Sequence, residues 1–258
     1  MGAEKSIFIT GAAAGIGKAA AELFHERGYA VGLYDVDQAG VDALAAQLGS
    51  RALPGKLDVT DADAVAAAID GFHDQFGRLD VLLNNAGILR MGRFADVPLA
   101  THRATIDVNV GGVINGVAAA LPHLRSTAAE HGRAHIITMC SASALHGTPD
   151  HSTYSASKFA VRGLTEALRI ELSPDNIVVS SVLPSFVDTE MVTKQASPSS
   201  LIEAMGVSHT PLEIAALIFA AANGDRLHWF GNTSLAIGDR LARLFPKAAA
   251  KVLTKRLG

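Results

Sequence analysis

Residues 7–24, IFITGAAAGIGKAAAELF, constrain the fold of this 258-residue chain more than any other segment. Three apolar, mostly β-branched residues (Ile7, Phe8, Ile9) read as a buried strand. The run breaks at Gly11, Gly15 and Gly17, then enters an alanine-rich helical pattern with Ile16, Ala20, Leu23 and Phe24 on one side. A strand that turns through glycines into a helix points backbone N–H groups and a helix N-terminus at a phosphate. The spacing is G-x-x-x-G-x-G rather than the general dinucleotide pattern G-x-G-x-x-G. A glycine turn alone is more often simple punctuation, so its surroundings carry the weight. A second apolar run, 30–34 (AVGLY), ends in Asp35, about 20 residues past the glycines. There a carboxylate accepts hydrogen bonds from an adenosine ribose.

The same alternation continues along the chain. Strands are expected at 6–10, 30–34, 52–57, 79–83, 134–140 and 177–183, with a seventh near 228–230. Helices are expected at 15–27, 38–48, 62–76, 100–129, 152–173 and 211–223. Continuous apolar strands alternating with helices imply a parallel sheet covered on both faces. Right-handed crossovers make this a doubly wound α/β fold, with its ligand outside the C-terminal ends of the strands. No repeat or linker divides residues 1–258 into more than one domain.

A second informative feature is YSASK, which places Tyr154 and Lys158 four residues apart, with Ser141 upstream. On a helix, that spacing brings the two side chains to one face, roughly 6 Å apart at Cβ. A free tyrosine has a pKa of about 10 and is a poor proton acceptor at neutral pH. A nearby ammonium favours the phenolate, so Lys158 is expected to lower the Tyr154 pKa. A shift of about 3 units needs about 4 kcal/mol of differential stabilisation. Taken alone, the pair is equally consistent with an ordinary helix surface.

Taken together, these features resemble the short-chain dehydrogenase/reductase family, in the group about 250 residues long. The likeness runs from residue 5 to about 220. TGAAAGIG at 10–17 is similar to the family's cofactor loop, and Asp58-Val59 to the pair beside the adenine. Asn84-Asn85-Ala86-Gly87 is similar to the segment after the fourth strand, and Asn109 lies where the family has its fourth catalytic residue. Ser141 lies thirteen residues before Tyr154, as in the family, which favours it over the neighbouring Ser143. The resemblance implies a Rossmann-like single domain of about seven strands with helices on both faces. It implies hydride transfer between nicotinamide and a carbinol carbon, with Asn109, Ser141, Tyr154 and Lys158 as the catalytic set. Tyr154 exchanges the proton, Ser141 binds the substrate oxygen, Lys158 also holds the nicotinamide ribose, and Asn109 holds a relay water. The implied cofactor contacts are Gly11, Ala14, Gly15, Ile16, Gly17, Asp35, Asp58, Val59, Asn85, Ala86, Gly87, Tyr154, Lys158, Pro184, Val187 and Thr189. Where the family usually has Pro-Gly, this chain has Pro184-Ser185.

Charge selects the cofactor. Asp35 suits the ribose hydroxyls of NAD and repels the 2′-phosphate of NADP, and LYDVDQ supplies no basic residue to hold that phosphate. Ala14 stands where NADP-preferring relatives often carry a basic residue. The stretch 190–210 is expected to be a substrate lid, with Met191, Leu201, Ile202 and Met205 giving an apolar face and Lys194 its only lysine or arginine. With Ile88, Leu89, Leu145, His146, Phe186 and His151, it suggests a hydrophobic, aromatic or alicyclic secondary alcohol or ketone.

Composition sets further bounds. Hydrophobic residues at 49% and charged residues at 18% are globular values, and a net charge of −3 argues against a nucleic-acid partner. The single cysteine, Cys140, excludes an internal disulfide and a cysteine metal cluster, and no metal is expected. No apolar signal segment begins the chain and no run approaches the ~20 residues of a membrane span, so a cytoplasmic protein is expected. The C-terminal stretch 239–257 interleaves six basic residues with Leu241, Leu244, Phe245, Val252, Leu253 and Leu257. That pattern suits packing on a neighbouring subunit or over the substrate pocket, or weak contact with an anionic membrane. Two functions stay open: an NAD-dependent alcohol dehydrogenase/ketoreductase, forming a homodimer or homotetramer as relatives do, and a non-catalytic dinucleotide sensor.

Overall fold

In the computed structural model, which describes residues 4–193 and 208–244, seven parallel strands form one sheet in the order β3-β2-β1-β4-β5-β6-β7. The strands are β1 (Ser6–Thr10), β2 (Ala30–Asp35), β3 (Ala52–Lys56), β4 (Val81–Asn84), β5 (Ala134–Met139), β6 (Ile177–Leu183) and β7 (His228–Phe230). The order reverses between β1 and β4, where a doubly wound sheet opens its ligand crevice. Helices α1 (Gly15–Glu26), α2 (Gln38–Leu48) and α3 (Ala62–Phe76) follow the first three strands. Asp37 and Asp61 cap α2 and α3 by accepting from the N–H groups of Gly40 and Ala64.

Two cores lie on opposite faces of the sheet. One gathers Ile7, Ile9, Phe24, Val31, Leu33 and Ile218, the last from the helix Pro211–Asn223. The other gathers Phe8, Phe72, Leu82, Leu124, Ile136 and Val161. Adjacent residues of β1 thus serve different cores, as the two-residue period of a strand requires. In the second core Phe8 stacks on Tyr34 at 4.2 Å and meets Phe72 edge-on at 5.7 Å. Each large side chain buried this way contributes about 1.5–3 kcal/mol.

The expected helix at 100–129 is two helices. After α4 (Leu99–Ile106) the chain makes one wide π turn over Asp107–Gly111, then continues as α5 (Gly112–His131). Pro122, inside α5, does not interrupt it; the break is set at Asn109, whose side chain is bound elsewhere. Contrary to the sequence expectation, the stretch Leu99–His131 is long and apolar enough by length and composition to cross a membrane. Its apolar character has a local cause: Val113, Val117, Ala120, Leu124 and Ala128 of α5 fill the second core.

Helix α6 (Ser152–Glu171) precedes β6, and α7 (Glu190–Thr193) and α8 (Pro211–Asn223) follow it. The ends of the intervening stretch are tied together: Val187 bridges His209 in parallel, Asp188 N donates to His209 O and Ser208 N to Phe186 O. Lys194, Leu201, Ile202 and Met205 lie outside the described residues, as does 245–258. A last helix, α9 (Thr233–Leu244), was not expected from sequence. Its start carries a signal, because Asn232 accepts from the Leu235 N–H as a capping residue does.

Candidate active site

Two cavities meet at the C-terminal ends of the central strands. The first is a groove lined by Gly11, Ala14, Gly15, Ile16, Asp35, Asn85, Ala86, Gly87, Thr189, Glu190 and Met191. Backbone shapes its floor. Gly11 holds φ at +69°, and a Cβ there would stand 2.9 Å from Ala86 Cα. A Cβ on Gly17 would lie 1.9 Å from the Gly11 carbonyl oxygen, so Gly17 acts from beneath, letting α1 close onto the turn. Asn85 braces the turn by donating from Nδ2 to Thr10 O at 3.0 Å and Gly11 O at 2.9 Å. The Thr10 hydroxyl accepts from the N–H groups of Asn85 and Ala86. Asp35 accepts from Ala13 N at 3.0 Å and Asp37 N at 3.1 Å, which fixes its carboxylate at the rim.

The second cavity shares Ile16, Asn85, Gly87, Thr189 and Met191 with the groove and runs inward to Ser141, Tyr154 and Lys158. Pro184, Ser185, Phe186 and Val187 line it as well. Ser185 does not adopt a positive φ, so serine replaces glycine there without strain.

Tyr154 and Lys158 lie one turn apart on α6, and Tyr154 hydrogen-bonds with Ser141. The expected depression of the Tyr154 pKa is not what the structure has: burial pushes it up to about 12, against the opposing effect of the Ser141 hydrogen bond. The reason is geometric. Lys158 Nζ donates to the Met139 carbonyl at 2.7 Å and sits 5.5 Å from the centre of the Tyr154 ring. Burial also lowers the Lys158 pKa. Cys140 is buried, donates from Sγ to Lys158 O, and has its pKa raised by burial.

Asn109 is fully buried behind this set. Its Nδ2 donates to Ile88 O and to Ser157 Oγ, both at 3.0 Å, and its Oδ1 accepts from Ile88 N at 2.8 Å. It therefore fastens the loop after β4 to α6, leaving one Oδ1 lone pair. Asp58 and Val59 lie outside both cavities. Asp58 accepts from the Thr60 N–H and hydroxyl, which lowers its pKa, while Val59 packs on Gly112 and its carbonyl accepts from Asn115.

Of the residues expected in a substrate pocket, Leu89, His146, His151, Phe186 and Met191 line the inner cavity. Ile88 and Leu145 do not: Ile88 is 37% exposed with its backbone held by Asn109, and Leu145 packs against the cluster of Cys140, Ala144 and Leu183. Sequence reading missed Thr148, Val192 and Leu235. Leu235 arrives on α9, which a buried ion pair anchors. Arg162 donates from Nη1 to Asp239 Oδ1 at 2.8 Å and from Nη2 to Oδ2 at 2.9 Å, with side chains only 7% and 11% exposed. Arg162 Nη1 also donates to Ala144 O, so one guanidinium joins α6, the turn after Ser141 and the final helix. Burial lowers the His146 pKa, and among the described residues Lys158 is the only lysine or arginine lining the inner cavity.

A glycine floor, a carboxylate at one end and a tyrosine–serine pair at the other fit a dinucleotide laid along the strand ends. Comparison with known proteins agrees with that form. The chain matches the short chain dehydrogenase family over residues 5–199. It is 34% identical over 240 residues to a 3-alpha-(or 20-beta)-hydroxysteroid dehydrogenase of Mycobacterium bovis, covering 93% of this chain and 90% of that one. It is 33% identical over 230 residues to a 3-oxoacyl-acyl-carrier-protein reductase of Thermotoga maritima, covering 86% and 91%. A solved short chain dehydrogenase/reductase of Burkholderia phymatum in complex with NAD superposes with a TM-score of 0.84 at 26% identity, covering 95% and 94%. The chain belongs to the short chain dehydrogenase family of oxidoreductases.

Proposed function

We propose that this protein is an NAD(H)-dependent alcohol dehydrogenase/ketoreductase for a hydrophobic secondary alcohol or ketone, aromatic or alicyclic. The observation that carries this is the junction of the glycine groove with the cavity holding the hydrogen-bonded Tyr154 and Ser141. A bound nicotinamide dinucleotide supplies or accepts the hydride. Gly11, Ala14, Gly15 and Ile16 offer backbone to its pyrophosphate, and Asn85, Ala86, Gly87, Pro184, Val187 and Thr189 flank it. Asp35 receives the ribose hydroxyls, and among the described residues no lysine or arginine lines the groove to favour a 2′-phosphate. The NAD bound by the Burkholderia phymatum relative supports the same choice.

In reduction, Tyr154 donates its proton to the carbonyl oxygen while the Ser141 hydroxyl stabilises the charge developing there. The Lys158 ammonium adds positive charge beneath the ring, and Asn109 keeps the loop after β4 in place. With a pKa of about 12, Tyr154 is a proton donor across the neutral range. In oxidation it must first be deprotonated. Alcohol oxidation should therefore climb with pH, by up to tenfold per unit below the Tyr154 pKa, while ketone reduction stays nearly flat from pH 6 to 9. Initial rates in both directions check this; equal slopes would remove Tyr154 from the role.

The apolar lining from Leu89, Phe186, Met191, Val192 and Leu235 supports a hydrophobic substrate. The name of the hydroxysteroid dehydrogenase relative favours an alicyclic one. The 190–210 stretch is the proposed lid, and the 239–258 extension a proposed contact with a neighbouring subunit or the pocket, its described start tied to α6 by the Asp239–Arg162 pair. A homodimer or homotetramer is supported by the exposed Ile106, Ile114, Phe159 and Ile170 on α4, α5 and α6. One buried thiol suits a reducing cytoplasm.

The decisive variant is Tyr154→Phe. Turnover should fall on the order of 10²–10⁴-fold with NADH affinity within twofold. Absorbance at the NADH band across a panel of ketones reads the first, and NADH fluorescence titration the second. Turnover near the parent rate would exclude Tyr154; NADH binding with no turnover of any alcohol or ketone would favour a sensor.

A further inference from the structure

The opposite edge of the sheet, where β1, β4 and β5 begin, holds a polar cavity of about 160 Å³. Its charged and titratable walls are Lys5, Tyr29, Arg78, Asp80, His131, Arg133 and His135. The one carboxylate among them, Asp80, is already engaged, accepting from Arg78 Nε at 2.7 Å and from Ser6 N at 2.8 Å. His131 lies 3.7 Å from Glu130. Lys5 and Arg133 have no carboxylate within salt-bridge distance among the described residues. Lys5 sits over the Tyr29 ring at 5.9 Å, and Arg133 donates to the Gly224 carbonyl. Two uncompensated cations thus face one cavity in a chain whose net charge is −3.

His135 supplies an independent observation. It lines the same cavity at 5% exposure, and its Nδ1 has no hydrogen-bond partner. A buried polar atom without a partner is a cost that folded proteins rarely carry. Burial, with Arg133, Lys5 and Arg169 nearby, holds the ring neutral by lowering its pKa to about 3. A neutral imidazole can carry its single proton on Nδ1 and donate it. The cavity then offers an ammonium and a guanidinium, with the neutral imidazole of His135 lining it beside them. At about 160 Å³ it has room for a small ion and accompanying water.

We propose that this cavity is a binding site for a small, doubly charged oxyanion, of which inorganic phosphate is the type, held by Lys5, Arg133 and His135. It stands at the other end of the strands from the dinucleotide groove and uses none of its residues.

Because the glycine turn also suits phosphate, the test blocks it. Phosphate is titrated by calorimetry into the full chain saturated with NADH, at constant ionic strength in chloride, and the titration is repeated without NADH. One saturable site is expected with NADH present, weakened at least tenfold in Lys5→Met and in Arg133→Gln, both exposed positions where the fold tolerates change. In ¹⁵N spectra of the parent protein, the His135 ring nitrogens should move on phosphate addition. Absence of saturable binding, equal affinity in both variants, or an unmoved His135 ring would each overturn the site.

Discussion

The two halves of the site are built from different materials. The groove has a floor of backbone, the glycine turn at 11–17, with Asp35 at its rim and residues 85–87 and 189–191 along its sides, and it is held by bonds such as Asn85 Nδ2 to the Gly11 carbonyl. The inner cavity is made largely of side chains from β5, α6, the loop after β6, α7 and α9, with Ile16 and Leu89, brought together from Ile16 to Leu235. A surface of backbone needs glycine at fixed spacings, so its sequence is confined. A surface of side chains needs only apolar shape, and many residues supply that. The groove accordingly tolerates little change, whereas the cavity can change its substrate while keeping its chemistry.

Three substitutions probe that contrast. The largest expected effect is on cofactor choice. Replacing Asp35→Ala together with Val36→Arg removes one charge and adds the opposite one at the groove's rim. With each charge-assisted contact at about 1.5 kcal/mol or more, the ratio of NAD to NADP affinity should swing by roughly a hundredfold and invert. Fluorescence titration with both reduced cofactors measures it, and an unaltered ratio would unseat Asp35. Next is Gly17→Ala, whose new methyl would press on the Gly11 carbonyl at 1.9 Å. Overpacking of that kind costs about 1–3 kcal/mol, so NADH affinity should fall roughly tenfold to a hundredfold. Unchanged affinity would mean the turn is far softer than its contacts imply. The smallest effect is expected from Leu235→Ala at the inner cavity. KM for bulky alicyclic ketones should drop severalfold relative to small ones, while NADH affinity stays the same. A loss of NADH affinity in that variant would erase the distinction between the two halves.

What was legible in the sequence follows the same division. The strand–turn–helix unit, Asp35, NNAG and YSASK announce themselves because each depends on local backbone or on helix spacing. Asn109 was visible by resemblance, but its π turn was not: the distortion repays itself only through Ile88 and Ser157, which are 21 and 48 residues away. The Tyr154 pKa went the other way from expectation because spacing reveals a nearby ammonium and says nothing of burial. Lys158 lies on the expected face, yet its ammonium points to the Met139 carbonyl. Leu235 left no periodic trace, since the Arg162–Asp239 pair that brings α9 to the pocket joins positions 77 residues apart. Only Asn232, a capping residue, hinted that a helix starts there.

The short parallel seam between Phe186–Asp188 and Ser208–His209 has a consequence for how such a protein diversifies. It fastens both roots of the intervening stretch to one another, so Val187 and Thr189 keep their stations whatever sequence is spliced between those roots. A change of length between those roots is expected to leave the groove on the near side of the seam in place.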